Sequence, residues 1–288
     1  MAHGTTLVIG AEGGIGQALT AALRREGRAV FGTSRRGAST GLLHLDLADI
    51  PPDFAAPADV RVAYLCAAVT ATDQCRKNPA GTSRVNVHGT LRLAERLARV
   101  GAFVVFPSTN MVFDGSVAHR RADDARCPQS EYGRQKALAE EGLLAMGGQA
   151  AVVRLTKVLT PGMGLFANWS AGLKAGQAIA PFANMPMAPI PLDLVVRAML
   201  DIGDRRAGGV WQISASRDVS YAEAALRLAS FLGAPTQLVQ PVPWREAAPD
   251  LEHVPEYTSL DASRLAEVLG LAAPDPLEAL DNAYGAYA

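Results

Sequence analysis

The stretch Gly10-Ala11-Glu12-Gly13-Gly14-Ile15-Gly16 follows directly on the apolar run Thr6-Leu7-Val8-Ile9. A phosphate group is held by backbone N–H groups at a helix N-terminus, and glycines let it approach the backbone closely. The order of strand, glycine turn and helix therefore predicts a dinucleotide-binding turn. An ordinary glycine-rich strand–helix connection is the alternative. The cofactor-binding residues predicted in the turn are Gly10, Gly13, Gly14, Ile15 and Gly16.

Alternating apolar strands and amphipathic helices continue from this turn. Strands are predicted at residues 7–9, 29–33, 42–46, 62–67, 103–107 and 151–155, and helices at residues 16–26, 83–100 and 132–146. Parallel neighbours need crossover connections, so this order predicts an α/β fold with a Rossmann-type, doubly wound parallel sheet. Ligands of such sheets bind at the carboxyl ends of the strands.

Composition and charge restrict the class of protein. The chain is 49% hydrophobic and 19% charged, which excludes a disordered chain, and its net charge of -1 argues against a nucleic-acid or membrane-surface partner. Three cysteines and five histidines lack the spacing of metal ligands. The chain begins almost at once with a strand and has no apolar run of membrane-spanning length. We therefore expect a soluble, cytoplasmic protein without a catalytic metal, and possible assembly as a homodimer.

The end of the second predicted strand indicates the kind of dinucleotide. An acidic residue there would bind the ribose hydroxyls of NAD, whereas an arginine accommodates the additional phosphate of NADP. The sequence reads Gly32-Thr33-Ser34-Arg35-Arg36, without an acid, and a guanidinium suits a phosphate well. We therefore predict NADP(H) as the cofactor, bound by Ser34, Arg35 and Arg36. A basic surface turn is the alternative.

Two further strand ends provide candidate cofactor contacts. Asp46, followed by Leu47, could accept a hydrogen bond from the adenine amino group, or it could cap its own loop. Ala67 and Ala68 follow the fourth strand, where small residues would let a cofactor lie against the backbone.

The composition changes after Arg154. Prolines at positions 161, 181, 186, 189 and 191 predict a smaller, loop-rich C-terminal lobe. Later elements are a strand at residues 209–214 and helices at residues 193–203, 221–232, 261–269 and 277–284. We predict an NADP-binding Rossmann domain at residues 1–155, to which segments near residues 187–215 return. Residues 156–288 would mainly form a substrate lobe.

A tyrosine and a lysine lie four residues apart in Tyr132-Gly133-Arg134-Gln135-Lys136. A phenol, whose pKa is about 10, is a poor acid–base group at neutral pH unless a nearby cation stabilises its phenolate. The spacing places both side chains on one helical face. Thr109, at the end of the fifth strand, could hydrogen-bond a substrate oxygen. Tyr-x-x-x-Lys pairs also occur by chance, but after a glycine turn this pair favours carbonyl reduction.

Several short motifs together resemble an extended short-chain dehydrogenase/reductase, and within that group the dTDP-4-dehydrorhamnose reductase family. They are the three spaced glycines, Cys66-Ala67-Ala68, Val85-Asn86-Val87, Ser108-Thr109-Asn110-Met111-Val112-Phe113-Asp114-Gly115 and Tyr132-Gly133-Arg134-Gln135-Lys136. The resemblance implies that Thr109, Tyr132 and Lys136 are catalytic and that Tyr132 also contacts the cofactor. It implies further that Lys136 binds the nicotinamide ribose and that Asn86 lies near the cofactor or active site.

The substrate end of the chain departs from that family. Asn110 and Met111 stand where the family has an acid and a tyrosine, and residues 182–189 are apolar where it has a polar stretch. Residues 254–260 lack the arginine of the family's later motif. The candidate substrate residues are Thr70, Asn110, Met111, Phe166 and Trp169. The last two would shape a less polar pocket, or would only pack the lobe.

Three functions fit these observations. The first is an NADPH-dependent reductase of a carbonyl, either a nucleotide-linked 4-keto-6-deoxysugar or a less polar ketone. The second is a sugar-nucleotide epimerase or dehydratase, which usually prefers NAD. The third is a regulatory protein that resembles the regulatory subunit of methionine adenosyltransferase, which binds NADP and a protein partner.

Overall fold

A computed structural model describes residues 4–36, 41–57 and 59–287. Its strands are β1 (Thr5–Ile9), β2 (Val30–Ser34), β3 (Leu43–His44), β4 (Val60–Leu65), β5 (Phe103–Thr109), β6 (Ala150–Leu155), β7 (Lys157–Leu159), β8 (Pro186–Met187), β9 (Pro189–Pro191), β10 (Gly209–Ile213) and β11 (Val219–Ser220). Its α-helices are α1 (Gly14–Arg25), α2 (Thr72–Lys77), α3 (Pro79–Ser83), α4 (Thr90–Arg99), α5 (Glu131–Leu144), α6 (Gly164–Lys174), α7 (Leu192–Asp204), α8 (Tyr221–Phe231), α9 (Trp244–Ala247), α10 (Ser263–Leu269) and α11 (Pro276–Tyr284). Within the described ranges, no helix is both long and apolar enough to cross a membrane.

A seven-stranded sheet has the order β10-β6-β5-β4-β1-β2-β3. The pairings of β1 with β2 and β4, of β2 with β3, and of β4 with β5 are parallel. Every residue of β5 is buried, as expected for a strand covered on both faces. The predicted Rossmann-type, doubly wound α/β fold is confirmed. The strand order reverses between β1 and β4, and such a switch point is where ligands of these sheets bind.

The predicted helix at residues 83–100 is present, but its first part is π-helical. A π-helical turn at Arg84–Gly89 separates α3 from α4, and the Thr90 hydroxyl donates to the carbonyl of Val85, five residues earlier. Gly89 lies so close to Leu47 that a Cβ at position 89 would be 2.0 Å from the Leu47 carbonyl oxygen. Apolar periodicity shows neither this close packing nor the wider turn, so it predicts only one continuous helix.

The chain divides into two compact units. The first comprises Met1–Phe113, Ala125–Arg154 and Asp193–Trp211, and the second comprises Asp114–Asp124, Leu155–Leu192 and Gln212–Ala288. Each unit has its own apolar core. The second unit contains an eleven-residue helix, α6, that the proline pattern did not indicate. The assignment of cofactor and substrate binding to separate domains stays a prediction.

Candidate active site

The glycine turn lies at the end of β1. Gly10 has a φ of +79°, and a Cβ there would be 2.8 Å from the backbone nitrogen of Ala67. At Gly16 a Cβ would be 2.2 Å from the carbonyl oxygen of Gly10. Internal packing therefore demands glycine at both positions. A Cβ at Gly13 would meet only the Gly10 carbonyl oxygen, at the ordinary distance of 3.5 Å.

Helix α1 begins at Gly14 with its N-terminus open to a ligand. Gly13 occupies the N-cap position, no side chain caps the helix, and its first turn carries no acidic residue. Backbone N–H groups and the helix dipole at such an end favour an anion. Gly14, Ile15 and Gly16 form this first turn, so the local geometry fits the phosphates of a dinucleotide.

A cavity of about 410 Å³ in the first unit brings many of the predicted cofactor residues together. Its walls come from the glycine turn, the end of β2, the segment after β3 and the loop after β4. The predicted residues that line it are Gly10, Gly13, Ser34, Arg35, Arg36, Asp46, Leu47, Ala67, Ala68 and Thr70. Its further lining residues include Glu12, Thr33, Leu45, Cys66, Val69 and Gln74.

Glu12 reaches the end of β2, a contact that the sequence analysis missed. The Ser34 hydroxyl donates to a carboxylate oxygen of Glu12, and the Arg36 Nε lies 3.7 Å from the same Oε2 atom. The backbone N–H of Arg36 donates to the Ser34 hydroxyl oxygen at 3.0 Å. The sequence shows an acidic residue in the glycine turn. Its contacts, Ser34 and Arg36, are more than twenty residues away, so no local pattern predicts them.

Asp46 caps its own loop, which was the alternative interpretation of this residue. Its Oδ1 accepts a hydrogen bond from the backbone N–H of Ala48 at 2.8 Å, which closes its own loop. Because Asp46 also lines the cavity, a contact with adenine stays a prediction.

Asn86 fixes the loop after β4. Its side-chain amide accepts from the backbone N–H of Val69 at 2.8 Å and donates to the Val69 carbonyl at 2.9 Å. The Nδ2 group also lies 2.8 Å from Oε1 of Gln135, which stands on α5 between Tyr132 and Lys136. Asn86 and Gln135 are each only 1% exposed. The pair therefore connects the cavity loop to α5, and sequence reasoning missed Gln135.

The predicted catalytic residues lie on β5 and α5 of the first unit. Thr109 ends β5, and its hydroxyl oxygen accepts from the backbone N–H of Met111 at 3.2 Å. Ser130 caps α5 by accepting from the Gly133 N–H at 3.1 Å. Lys136 donates from Nζ to the carbonyl oxygen of Pro107 at 2.6 Å. This bond joins α5 to the backbone two residues before Thr109.

Burial shifts the pKa values of Tyr132 and Lys136 on α5. Desolvation raises the pKa of the Tyr132 phenol above its ordinary value. Burial lowers the pKa of Lys136 to about 7, and the negative charge of Glu140 opposes that effect. The phenol therefore stays protonated at neutral pH, while the ammonium group is poised between its two protonation states.

Glu140 anchors α5 in the interior. Its carboxylate is fully buried and accepts from Arg154 at 2.8 Å and from the Ser108 hydroxyl at 2.5 Å. Arg126 lies 3.6 Å away. This network connects α5 with β5 and β6. No motif in the sequence indicated that Glu140 would bind these side chains.

The candidate substrate residues are divided between the two compact units. Thr70 lines the cavity, and Asn110 and Met111 form a half-buried 3-10 turn directly after Thr109. In the second unit, Phe166 and Trp169 are 1% and 7% exposed and belong to its apolar core. Their surroundings support the packing role, and a substrate contact by either ring stays a prediction. Among the described residues, no group of three or more His, Cys, Asp or Glu side chains could hold a metal ion.

The parallel sheet carries a glycine turn at its switch point, as dinucleotide-binding folds do. A family profile described as RmlD substrate binding domain matches residues 4–288. The chain therefore belongs to that family, which confirms the resemblance inferred from its motifs.

Proteins with different names match this chain in sequence. The probable low-salt glycan biosynthesis reductase Agl14 of Haloferax volcanii is 26% identical and covers 97% of this chain and 98% of its own length. The dTDP-4-dehydrorhamnose reductase of Mycobacterium tuberculosis is 36% identical over 55% of this chain, and the match spans 51% of that protein. The methionine adenosyltransferase 2 subunit beta of Pongo abelii is 27% identical and covers 94% of this chain and 84% of its own.

Solved structures agree with the fold. A dTDP-4-dehydrorhamnose reductase from Clostridium acetobutylicum superposes with a TM-score of 0.84 at 22% identity, covering 98% of both chains. MoeE5 in complex with UDP-glucose and NAD has a TM-score of 0.78 at 25% identity, also covering 98% of both chains.

Proposed function

We propose that this protein is an NADPH-dependent reductase of a carbonyl group, either in a nucleotide-linked 4-keto-6-deoxysugar or in a less polar ketone. The observation that carries the proposal is the α5–β5 arrangement. It places a protonated phenol and a buried amine on one helical face, and the amine is bonded to the strand that ends in Thr109. The names of the Haloferax and Mycobacterium relatives support the same reaction class.

Each of the three residues has a chemical role in this proposal. The Thr109 hydroxyl accepts from the backbone N–H of Met111 and donates to Oδ1 of Asn110 in a long hydrogen bond of 3.4 Å. A substrate carbonyl oxygen would replace Asn110 as the acceptor of this hydrogen. Tyr132 gives its proton to the developing alkoxide. The Lys136 ammonium then stabilises the phenolate that forms, since opposite charges favour each other's ionised states.

The cofactor fits the residues present. The open N-terminus of α1 would hold the diphosphate, and Arg35 and Arg36 at the cavity would face the additional phosphate. When bound, the reduced nicotinamide supplies the hydride. A Cβ at Gly10 would be 2.8 Å from the backbone nitrogen of Ala67, so this position has no room for a side chain.

The test is a Tyr132→Phe variant assayed for NADPH oxidation with dTDP-4-keto-6-deoxyglucose and with a panel of less polar ketones. Cofactor binding is followed separately by NADPH fluorescence. Tyr257→Phe, at an exposed tyrosine of the second unit, is the matched control. We expect Tyr132→Phe to lose turnover by about 10²-fold or more while NADPH binding stays unchanged. Equal turnover by Tyr132→Phe and wild type would overturn the assignment.

The regulatory function is the second candidate. Its first support is the match to the methionine adenosyltransferase subunit over nearly the whole chain. Its second is that Asn110 and Met111 stand after Thr109, where the reductase family has an acid and a tyrosine. Wild-type protein that binds NADPH but reduces no compound of the panel would favour it. An epimerase or dehydratase would instead retain its nicotinamide cofactor through purification, which absorbance of the purified protein would detect.

A further inference from the structure

A negative charge from the glycine turn lies at the end of β2, although β2 itself has no acidic residue. Glu12, from the glycine turn, contacts the Ser34 hydroxyl and lies 3.7 Å from the Arg36 guanidinium. Its side chain is 29% exposed, and the side chain of Arg36 is 74% exposed. All three residues and Arg35 line the same cavity. The carboxylate is therefore partly desolvated and held in place, whereas the arginine is mostly in solvent.

This position is where dinucleotide-binding folds distinguish the two nicotinamide cofactors. A ribose 2′-hydroxyl is bound by a carboxylate, and a 2′-phosphate by arginine. Here both kinds of group are present. A 2′-phosphate would have to share Arg36 with Glu12 and would meet a like charge, while Arg35 remains beside the cavity as a second cation. A 2′-hydroxyl would find in Glu12 the acceptor that is missing from β2.

We propose that Glu12 is a specificity-determining residue that accepts the ribose 2′-hydroxyl of NADH and opposes the 2′-phosphate of NADPH, so that the protein binds both cofactors. This inference rests on the proposed function only in requiring that the cavity bind a nicotinamide dinucleotide. The sequence of β2 predicts a preference for NADPH, and Glu12 reduces it.

The experiment compares wild type with Glu12→Gln by fluorescence titration with NADH and NADPH, without any substrate. Titrations with 5′-AMP and 2′,5′-ADP isolate the ribose end. We expect wild type to bind NADH and NADPH with dissociation constants within about tenfold of each other. In Glu12→Gln, NADPH and 2′,5′-ADP should bind more tightly, and the ratio of the two cofactor dissociation constants should shift about tenfold toward NADPH.

Glu95→Gln is the control, because it makes the same charge change on an exposed face of α4 in the same unit. It should leave the ratio unchanged. Glu12→Asp keeps the charge but shortens the reach toward Ser34, so its ratio should lie between wild type and Glu12→Gln. A ratio in Glu12→Gln within about twofold of wild type would overturn the proposal, as would an equal shift in Glu95→Gln.

The two proposals fail in different ways. If both cofactors bind and the ratio shifts as expected but no carbonyl is reduced, the inference stands and the reductase function falls. If carbonyls are reduced and the ratio does not shift, Glu12 has no part in specificity. A wild-type protein that binds neither cofactor would overturn both.

Discussion

The α5–β5 contact and the rim of the cofactor cavity are both polar, but their polar groups are held in opposite ways. Lys136, Glu140 and Ser108 are each 5% exposed or less, and each has a partner within 2.8 Å. At the rim, Arg35 and Arg36 are exposed, and Arg36 meets Glu12 only at 3.7 Å. Buried polar groups are costly when a partner is lost, whereas exposed ones are rehydrated. Changes at the first region should therefore affect folding, and changes at the rim should affect binding alone.

The largest expected effect is that of Glu140→Gln. The substitution removes the buried carboxylate charge that pairs with Arg154 in the interior, and breaking a buried ion pair typically destabilises a protein by about 3–5 kcal/mol. The measurement is the free energy of unfolding in urea. Glu141→Gln, at the exposed neighbouring position, should change it by less than about 0.5 kcal/mol. A loss below about 1 kcal/mol in Glu140→Gln would show that the buried groups of the α5–β5 contact matter no more for folding than the exposed groups of the rim.

The next effect is a pH dependence that Lys136→Met should remove. Burial lowers the pKa of Lys136 to about 7 from an ordinary value of 10.5. Between these values the unfolded lysine binds a proton that the folded one lacks, so the free energy of unfolding rises with pH by at most about 1.4 kcal/mol per pH unit.

The urea midpoints of wild type and Lys136→Met, measured at about pH 7.5 and about pH 9.5, test this pH dependence of the free energy of unfolding. The wild type should gain stability relative to the variant as the pH rises. An unchanged difference between the two proteins would mean that Lys136 keeps its proton in the folded state.

Arg36→Gln should have a smaller effect, and on binding rather than folding. The loss of one cation beside the cavity should weaken binding of 2′,5′-ADP about tenfold and leave 5′-AMP within about twofold. The urea midpoint should not move, because the Arg36 side chain is 74% exposed. Equal weakening of both nucleotides would place Arg36 away from the 2′-position.

The smallest effect is expected for Asp73→Asn. Lys77 and Arg76 lower the pKa of this carboxyl by hydrogen bonding, but the group is fully exposed on α2. We expect no measurable change in the urea midpoint or in NADPH binding, in low or high salt. A clear loss of stability would show that exposed ion pairs of the first unit contribute measurably to its folding.

Local patterns predicted most of the sheet correctly, and their failures have identifiable causes. Helix α5 and strands β4 and β5 lie within a few residues of their predicted positions, because apolar periodicity and burial coincide there. The predicted helix at residues 83–100 contains a π-helical turn at Arg84–Gly89, which apolar periodicity does not indicate. Residues 114–124 belong to the second unit, which no local signal in the segment indicates.

At the site, the chemical groups and their order can be identified from the amino-acid sequence: the glycine turn, Arg35 and Arg36, Thr109 and the Tyr132/Lys136 pair. Helical spacing alone places Tyr132 and Lys136 on one face. The folded chain was needed to show that Glu12 contacts Ser34, that Asn86 binds both Val69 and Gln135, and that Phe166 lies in a core. The physical reason is that periodicity reports neighbours within a few residues, whereas these contacts join segments that only the completed sheet and its loops bring together.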